Sequence, residues 1–306
     1  MKSSRFVSYL IFVFCACIVA ESRSIAPRNA SSARITSIFA FGDSYTDNGS
    51  FNDFYMSNTD EINRASLRTA TAPRIKREAD GPLWVEYLAG LMDDAYLYDF
   101  ARSGATANNK LILRNTEDMD TQVNRYLRSG AAREPKENSL FTIWIGVNDM
   151  TDLFSKHPLD TPQRQRIING IMTTIRYDME KLYNVGAKNM LLLGLIPLEN
   201  LPVYCQLTPE TRHQLQTLVS EYNTRLAETL RHFKADKPDV NASFFDMNML
   251  FKQLFDNEQF ESNALSHCNK KADCGDRIWW DHLHPSTKTH AKLAEALYLY
   301  ISLLEW

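Results

Sequence analysis

The feature that most constrains the fold is the alternation of short apolar segments with segments of helical periodicity. Five apolar segments predict β-strands, at 35–41, 96–101, 140–145, 189–195 and 242–245. Apolar residues recur at helical spacing over 82–91, 119–127, 163–182, 208–233 and 286–304. Strands that are apolar throughout need cover on both faces, which crossover helices give to parallel sheets. The sequence therefore predicts a three-layer α/β/α fold around a parallel sheet.

The N-terminal segment differs from the rest of the chain. Lys2 and Arg5 precede an apolar run that ends at Ala20 and falls short of the roughly 20 residues needed to cross a bilayer. This pattern is typical of a secretory signal peptide rather than of a membrane anchor. We therefore expect a signal peptide over 1–20, a short segment over 21–34 and one domain over 35–306. The product would be secreted and extracellular, without a stable membrane anchor.

The charge of the chain argues against one class of partner. A formal net charge of -3 over 306 residues, without a dense basic run, makes nucleic acid a poor partner. With 44% hydrophobic residues, the chain can build one enzyme-sized core. We expect a compact, soluble monomer.

Cysteine usage fits an extracellular protein only in part, because Cys205, Cys268 and Cys274 remain after the expected signal peptide and three thiols cannot all pair. The short spacing of Cys268 and Cys274 predicts a loop-closing disulfide, which an oxidising compartment permits. Cys205 is then a lone thiol, which we expect to be buried. No paired C-x-x-C motif supports a metal site on these cysteines, so none is expected. Asn29 and Asn241 lie in sequons and are candidate N-glycosylation sites.

Polar motifs follow three of the predicted strands. They are Gly42-Asp43-Ser44, Ser103-Gly104 and Gly146-Val147-Asn148-Asp149. Ligands of open parallel sheets bind beyond the carboxyl ends of the strands, so these motifs are the first candidates for a functional site.

Ser44, Asp281 and His284 have the chemistry of nucleophilic catalysis. A serine hydroxyl needs a base to take its proton, and the base needs a carboxylate to fix its tautomer. Asp281 precedes His284 by three residues, so one turn of chain can bring the two side chains together. The alternatives are a capping role for Ser44, a surface Asp-His pair, and a metal site that includes His282. The chain order serine, aspartate, histidine favours a triad and leaves His282 structural or solvent-facing.

Hydrolysis through a serine also needs donors for the charge on the tetrahedral oxygen. Gly104 lacks a side chain and can bring its backbone N–H close, and Asn148 offers a side-chain amide. Each also has a simpler interpretation, as a turn-forming glycine and as an Asx-turn residue.

The motifs taken together resemble the conserved blocks of the GDSL or SGNH hydrolase family. They are Gly42-Asp43-Ser44-Tyr45, Gly104, Gly146-x-Asn148-Asp149 and Asp281-x-x-His284-Pro285. The resemblance implies a flavodoxin-like α/β/α fold, Ser44 as nucleophile, His284 as general base and acid, and Asp281 as its orienting acid. It also implies an oxyanion hole from the N–H groups of Ser44 and Gly104 with the Asn148 side chain, and no metal or organic cofactor.

The segments 41–49, 81–88 and 144–146 are most similar to the secreted fungal and plant-type branch of that family. This branch includes lipases, carbohydrate acetylesterases and acyltransferases, so the expected partner is a small-molecule, polysaccharide or lipid ester. We expect an esterase that cleaves short-chain or acetyl esters on carbohydrate through an acyl-enzyme. The alternatives are a lipase or acyltransferase acting on longer-chain lipid esters, and an inactive secreted binding protein.

Four residues around these motifs lead to further expectations. Ser103 replaces a glycine that is frequent in the family and is expected to alter the oxyanion loop slightly. A glycan on Asn48, which also lies in a sequon, would crowd the site, so we expect Asn48 to be unmodified. Trp279 and Trp280 are either aromatic platforms for sugar or core residues.

Overall fold

The structure, a computed structural model, describes residues 34–49, 77–156, 162–257 and 266–304. The expected signal peptide and Asn29 lie outside the described residues. The division into 1–20, 21–34 and 35–306 therefore stays a prediction.

Parallel strands form a five-stranded sheet with the order β2-β1-β3-β4-β5. The strands are β1 Ser37–Gly42, β2 Tyr96–Asp99, β3 Ser139–Trp144, β4 Asn189–Leu193 and β5 Asn241–Phe245. This strand order is that of flavodoxin-like sheets, in which ligands bind where the order reverses, between the first and third strands. Each predicted strand is present, with bounds that shift by a few residues.

Helices cover both faces of the sheet. They are α1 Trp84–Leu91, α2 Met119–Arg128, α3 Val147–Lys156, α4 Pro162–Asn184, α5 Pro209–Asp236, α6 Met247–Phe255 and α7 Thr287–Leu303. Helices α1 and α7 pack on each other, and α4 contacts both α2 and α5. Right-handed crossovers place α1 on one face and α2, α4 and α5 on the other. The predicted three-layer α/β/α fold is confirmed.

A row of stacked aromatic rings fixes the centre of the sheet. The ring of Phe39 on β1 lies 4.6 Å from that of Tyr98 on β2 and 4.7 Å from that of Phe141 on β3, centroid to centroid. Tyr126 of α2 meets Phe39 edge-on at 5.4 Å. Such contacts add to the burial of large apolar surfaces, and they hold the strand that leads to Ser44.

Within the described residues, two helices were not predicted from the sequence. Helix α3 starts directly after Gly146, so Asn148 lies in its first turn and not in a loop end as expected. Asparagine and aspartate are favourable at a helix N-terminus as well as in turns, which is why the motif was ambiguous. Helix α6 follows β5 at once, and the Asp246 side chain caps it by accepting the Met249 N–H at 3.1 Å.

The expectation that Cys205 is buried is wrong, because its side chain is exposed. Cys205 follows a short 3-10 turn over Pro202–Tyr204, and its carbonyl accepts a hydrogen bond from Arg212. This contact fixes the backbone and leaves the thiol on the solvent side. Cys268 and Cys274 are joined by a disulfide, with their Cα atoms 5.3 Å apart.

None of the helices in the described part of the chain is long and apolar enough to cross a membrane.

Candidate active site

Ser44 lies in a tight turn at the carboxyl end of β1. The Asp43 carbonyl accepts the N–H of Asp47 at 2.9 Å, which closes the turn. A Cβ atom at Gly42 would lie 2.3 Å from the carbonyl oxygen of Trp144 on the neighbouring strand. Gly42 is therefore required because β1 and β3 approach closely here, and no positive φ is involved.

A buried glutamine, missed in the sequence, supports this turn from behind. Gln122 on α2 accepts the Gly42 N–H at 3.0 Å through Oε1 and donates to the Gly42 carbonyl at 2.9 Å through Nε2. Both hydrogen-bonding groups of the residue two positions before Ser44 are thus satisfied by one side chain.

The structure brings the three candidate triad residues into hydrogen-bond contact. His284 Nε2 lies 3.0 Å from Ser44 Oγ, and His284 Nδ1 lies 3.0 Å from both carboxylate oxygens of Asp281. Ser44 is 7% exposed, His284 9% and Asp281 2%, so water has little access to these contacts. The imidazole can take a proton from Ser44 while its other nitrogen donates to the carboxylate.

The Asp281 carboxylate is built to stay ionised. Burial opposes its charge, but the hydrogen bond and charge of His284, with the backbone N–H groups of Leu283 and His284, outweigh burial and hold the pKa of Asp281 well below its ordinary value. Asp281 Oδ1 accepts those N–H groups at 2.8 and 2.7 Å. The loop that carries His284 therefore folds around the Asp281 carboxylate and stabilises its charge.

Contacts over a long sequence distance hold this loop in place. The hydroxyl of Tyr45 donates to the Leu283 carbonyl at 2.9 Å, so the neighbour of the nucleophile contacts the neighbour of the base. Asp80 accepts the N–H of Cys274 at 2.9 Å and that of Thr287 at 2.7 Å. The segment before α1 thereby fixes both sides of the Asp281 and His284 loop.

The loop after β2 contains Gly104, whose backbone N–H is an oxyanion-donor candidate. The positive φ of this loop, +82°, falls on Gly104, so Ser103 replaces the frequent glycine without backbone strain. Ser103 donates its N–H to Asp47 Oδ2 at 2.7 Å, and its carbonyl accepts from Thr116 at 3.1 Å. Among the described residues, the N–H groups of Ser44 and Gly104 have no hydrogen-bond partner.

Asn148 supplies a third donor. Its Nδ2 donates to the Ala105 carbonyl at 2.8 Å and carries a second hydrogen. Asn148 is 4% exposed, so this amide works in a shielded position. Hydrogen bonds join the turn of Ser44 to the loop of Gly104, and that loop to the start of α3, so the three segments with the donor candidates are neighbours.

Two buried carboxyl groups lie under this site. Burial is the largest cause that raises the pKa of Asp43 to about 7, against the hydrogen bond from the Tyr45 N–H, and the charge of Asp149 adds to the increase. Burial likewise raises the pKa of Asp149 to about 7, against the hydrogen bond from the Ala107 N–H.

The free energy of unfolding should therefore fall as the pH rises from about 4 to 7. The pKa of Asp43 is about 7 in the folded protein and 3.8 in the unfolded chain. Between about pH 4 and 7 the folded protein therefore holds a proton on Asp43 that the unfolded chain has released. The free energy of unfolding should lose up to about 4 kcal/mol through this group over that range. Asp43→Asn should flatten the decline in urea titrations from about pH 4.5 to 7.5, while Asp276→Asn, at an exposed position, should not. An unchanged slope in Asp43→Asn would contradict the assignment.

One group of described side chains has the donors for a metal ion: Glu78, Asp281 and His284, with one ligand atom of each within 4.8 Å of the others. The amine of Lys270 lies 3.5 Å from Asp281 Oδ2 and 3.8 Å from Glu78 Oε2. A metal would have to displace this ammonium and break the contacts of His284, so the residues fit a metal poorly. His282, part of the metal alternative, is exposed and outside this group.

The two tryptophans before Asp281 have different environments. Trp279 is fully buried and stacks on Phe251 with ring centroids 5.6 Å apart, so it is a core residue. Trp280 is half-buried, and its ring centroid lies 6.4 Å from that of His284. Trp280 is the tryptophan that a substrate could reach.

Asn48 should carry no glycan. It is fully buried, and its backbone N–H donates to Asp99 Oδ2 at 2.8 Å, which ties the nucleophile turn to β2. A bulky glycan on this side chain would have no room in the folded protein. Mass spectrometry of the Asn48 peptide, before and after glycosidase treatment, should give the unmodified mass. A glycosylated Asn48 in active protein would contradict this.

A serine, an imidazole and a carboxylate in contact at the carboxyl ends of a parallel sheet form the arrangement that serine hydrolases use. The family model for GDSL-like Lipase/Acylhydrolase matches residues 38–297. This chain belongs to that family and is a carboxylic ester hydrolase of the GDSL type.

Several characterised proteins are similar to this chain. An acetylesterase of Thermothelomyces thermophilus is 26% identical over 272 residues, covering 85% of this chain and 86% of that protein. GDSL esterase/lipase 5 of Arabidopsis thaliana is 23% identical over 354 residues, covering 96% and 90%. A thermolabile hemolysin of Vibrio parahaemolyticus is 26% identical over 288 residues, covering 86% of this chain and 63% of that protein. These relatives do not support the alternative of an inactive binding protein.

Proposed function

We propose that this chain is a secreted serine esterase that works through an acyl-enzyme at Ser44. The observation that carries the proposal is the 3.0 Å contact between His284 Nε2 and Ser44 Oγ. His284 takes the hydroxyl proton as Ser44 attacks the ester carbonyl, and then gives it to the departing alcohol. Water, activated by the same imidazole, releases the acid and restores the serine. Asp281 keeps its charge and stabilises the imidazolium throughout.

The tetrahedral oxyanion would bind three donors in this site. They are the N–H groups of Ser44 and Gly104 and the Nδ2 of Asn148. Neither N–H has a partner among the described residues, and the amide keeps one hydrogen free of Ala105. Donors held in place before the reaction act most strongly in a shielded site.

We propose short acyl chains, above all acetyl groups on carbohydrate, as the substrate class. The acetylesterase relative supports the acyl part, and Trp280 beside His284 offers a face on which a sugar ring can stack. A lipase or acyltransferase for longer lipid esters is the second candidate. Val203 favours it, because this residue is 47% exposed and its N–H donates to the His282 carbonyl, which puts apolar surface beside the catalytic loop.

A chain-length series tests the substrate class. We expect kcat/KM for p-nitrophenyl acetate to exceed that for the palmitate ester by about 100-fold, with acetate release from acetylated xylan, since an unfilled or overfilled pocket costs transition-state binding. A fluorophosphonate should phosphonylate the Ser44 hydroxyl with loss of fluoride, which adds the mass of the phosphonyl group to the Ser44 peptide and to no other serine. Fastest turnover of palmitate would support the lipase instead. N-terminal sequencing of protein from the culture medium tests cleavage near residue 20.

A further inference from the structure

An arginine lies behind the Asn148 amide, on the side away from its donor hydrogens. Arg114 Nη1 donates to Asn148 Oδ1 at 2.7 Å, and its Nε and Nη2 donate to the two oxygens of Asp152 at 3.0 and 2.7 Å. We propose that Arg114, held by Asp152, is a positioning residue that fixes and polarises Asn148 as an oxyanion donor. The inference rests on the esterase function proposed above.

The contacts determine which end of the amide faces the substrate. The two ends of an asparagine amide have the same shape, so hydrogen bonds alone distinguish them. A guanidinium can only donate, and the Ala105 carbonyl can only accept, so both contacts place Oδ1 on Arg114 and Nδ2 on Ala105. Without Arg114, only one contact would oppose rotation of the amide.

The guanidinium also strengthens the donor. A hydrogen bond to the carbonyl end of an amide draws electron density from its nitrogen and makes the N–H a better donor. The charge of Arg114 reaches the nucleophile turn as well: burial raises the pKa of Asp43, next to Ser44, and the charge of Arg114 counters part of that increase. A positive charge at this position favours the negative oxygen that forms in the transition state.

Both partners of the ion pair are shielded enough to hold one geometry. The side chain of Arg114 is 27% exposed and that of Asp152 13%. The bidentate contact restricts the planar guanidinium, which a lysine in the same place could not match. Lys156 also binds Asp152, at 3.0 Å, but its side chain is 58% exposed, and among the described residues it does not bind Asn148.

The test is a double-mutant cycle between Arg114 and Asn148. Arg114→Met should lower kcat by about 10-fold with KM within about twofold, since the interaction matters mainly in the transition state. Asn148→Ala should lower kcat by about 100-fold or more, and Arg114→Met in that background should add less than about twofold. Lys156→Met, the matched control, removes a partner of the same Asp152 and should keep kcat within about twofold.

Each outcome of this cycle decides the proposal. Wild-type kcat in Arg114→Met overturns the positioning role. The role is also overturned if Arg114→Met lowers kcat by the same factor in the wild-type and in the Asn148→Ala background. Arg114→Lys replaces Arg114→Met in this test if the methionine variant does not fold. The lysine variant should keep the melting temperature and lose part of kcat. Wild-type kcat in Arg114→Lys would also overturn the positioning role. If wild-type turnover of esters does not depend on Ser44, the proposed function itself fails and this inference fails with it.

Discussion

Replacing Ser44 by alanine is expected to lower kcat for ester hydrolysis by about 10⁵-fold or more. The variant lacks the nucleophile, so no acyl-enzyme can form, and residual turnover would come from the oxyanion donors and substrate binding alone. The measurement is kcat on p-nitrophenyl acetate, with the melting temperature as a check of folding.

The matched control is Ser103→Ala. Ser103 is a serine near the same site, but its hydrogen bonds to Asp47 and Thr116 are made by backbone atoms. We expect kcat within about threefold of wild type, since no side-chain interaction is removed. Equal activity of Ser44→Ala and wild type would reject the proposed mechanism.

Replacing Asp281 by asparagine is expected to lower kcat by about 10⁴-fold, the loss seen when a triad base is held in the wrong tautomer. The N–H groups of Leu283 and His284 both donate to Asp281 Oδ1, so the asparagine oxygen would have to take that position. Its NH₂ group would then face His284 Nδ1 in place of Oδ2, now 3.0 Å away. A donor at that position forces the imidazole proton onto Nε2. A protonated Nε2 cannot accept the proton of Ser44.

The control for Asp281→Asn is Asp276→Asn. Asp276 lies in the same segment, but it is 64% exposed and pairs with Lys288 at the surface. Surface pairs of this kind contribute little, so kcat within about twofold is expected. A loss below about tenfold in Asp281→Asn, with normal folding, would mean that Asp281 does not set the tautomer.

The sheet and the triad candidates could be found from sequence because their signals are local. Strand β1 is a continuous apolar run that stops at Gly42, and Asp281 lies within one turn of His284. Chain order then supplied the remaining link, since parallel strands end at one edge of the sheet. The α/β/α prediction rested on the same kind of local signal, and the structure confirms it.

The supporting residues could not be found this way, because their partners are far along the chain. Gln122 binds Gly42 across 80 residues, and Asp47 binds Ser103 across 56. Nothing in the sequence around a glutamine on an amphipathic helix indicates that its amide caps a strand end.

Helix α3 was missed for a different reason. Gly146, Asn148 and Asp149 are turn formers, and the segment after them is short. The same residues also suit the first turn of a helix. The pattern was therefore ambiguous, and only the fold decides it.

The contact between Tyr45 and Leu283 has a consequence for the synthesis and folding of the enzyme. Ser44 and His284 are 240 residues apart, so their side chains cannot meet until the ribosome has made both segments and everything between them. Contacts of such high sequence separation form late in folding. A nascent or incompletely folded chain would thus carry an inert serine, and hydrolytic activity would arise only when helix α7 packs on helix α1.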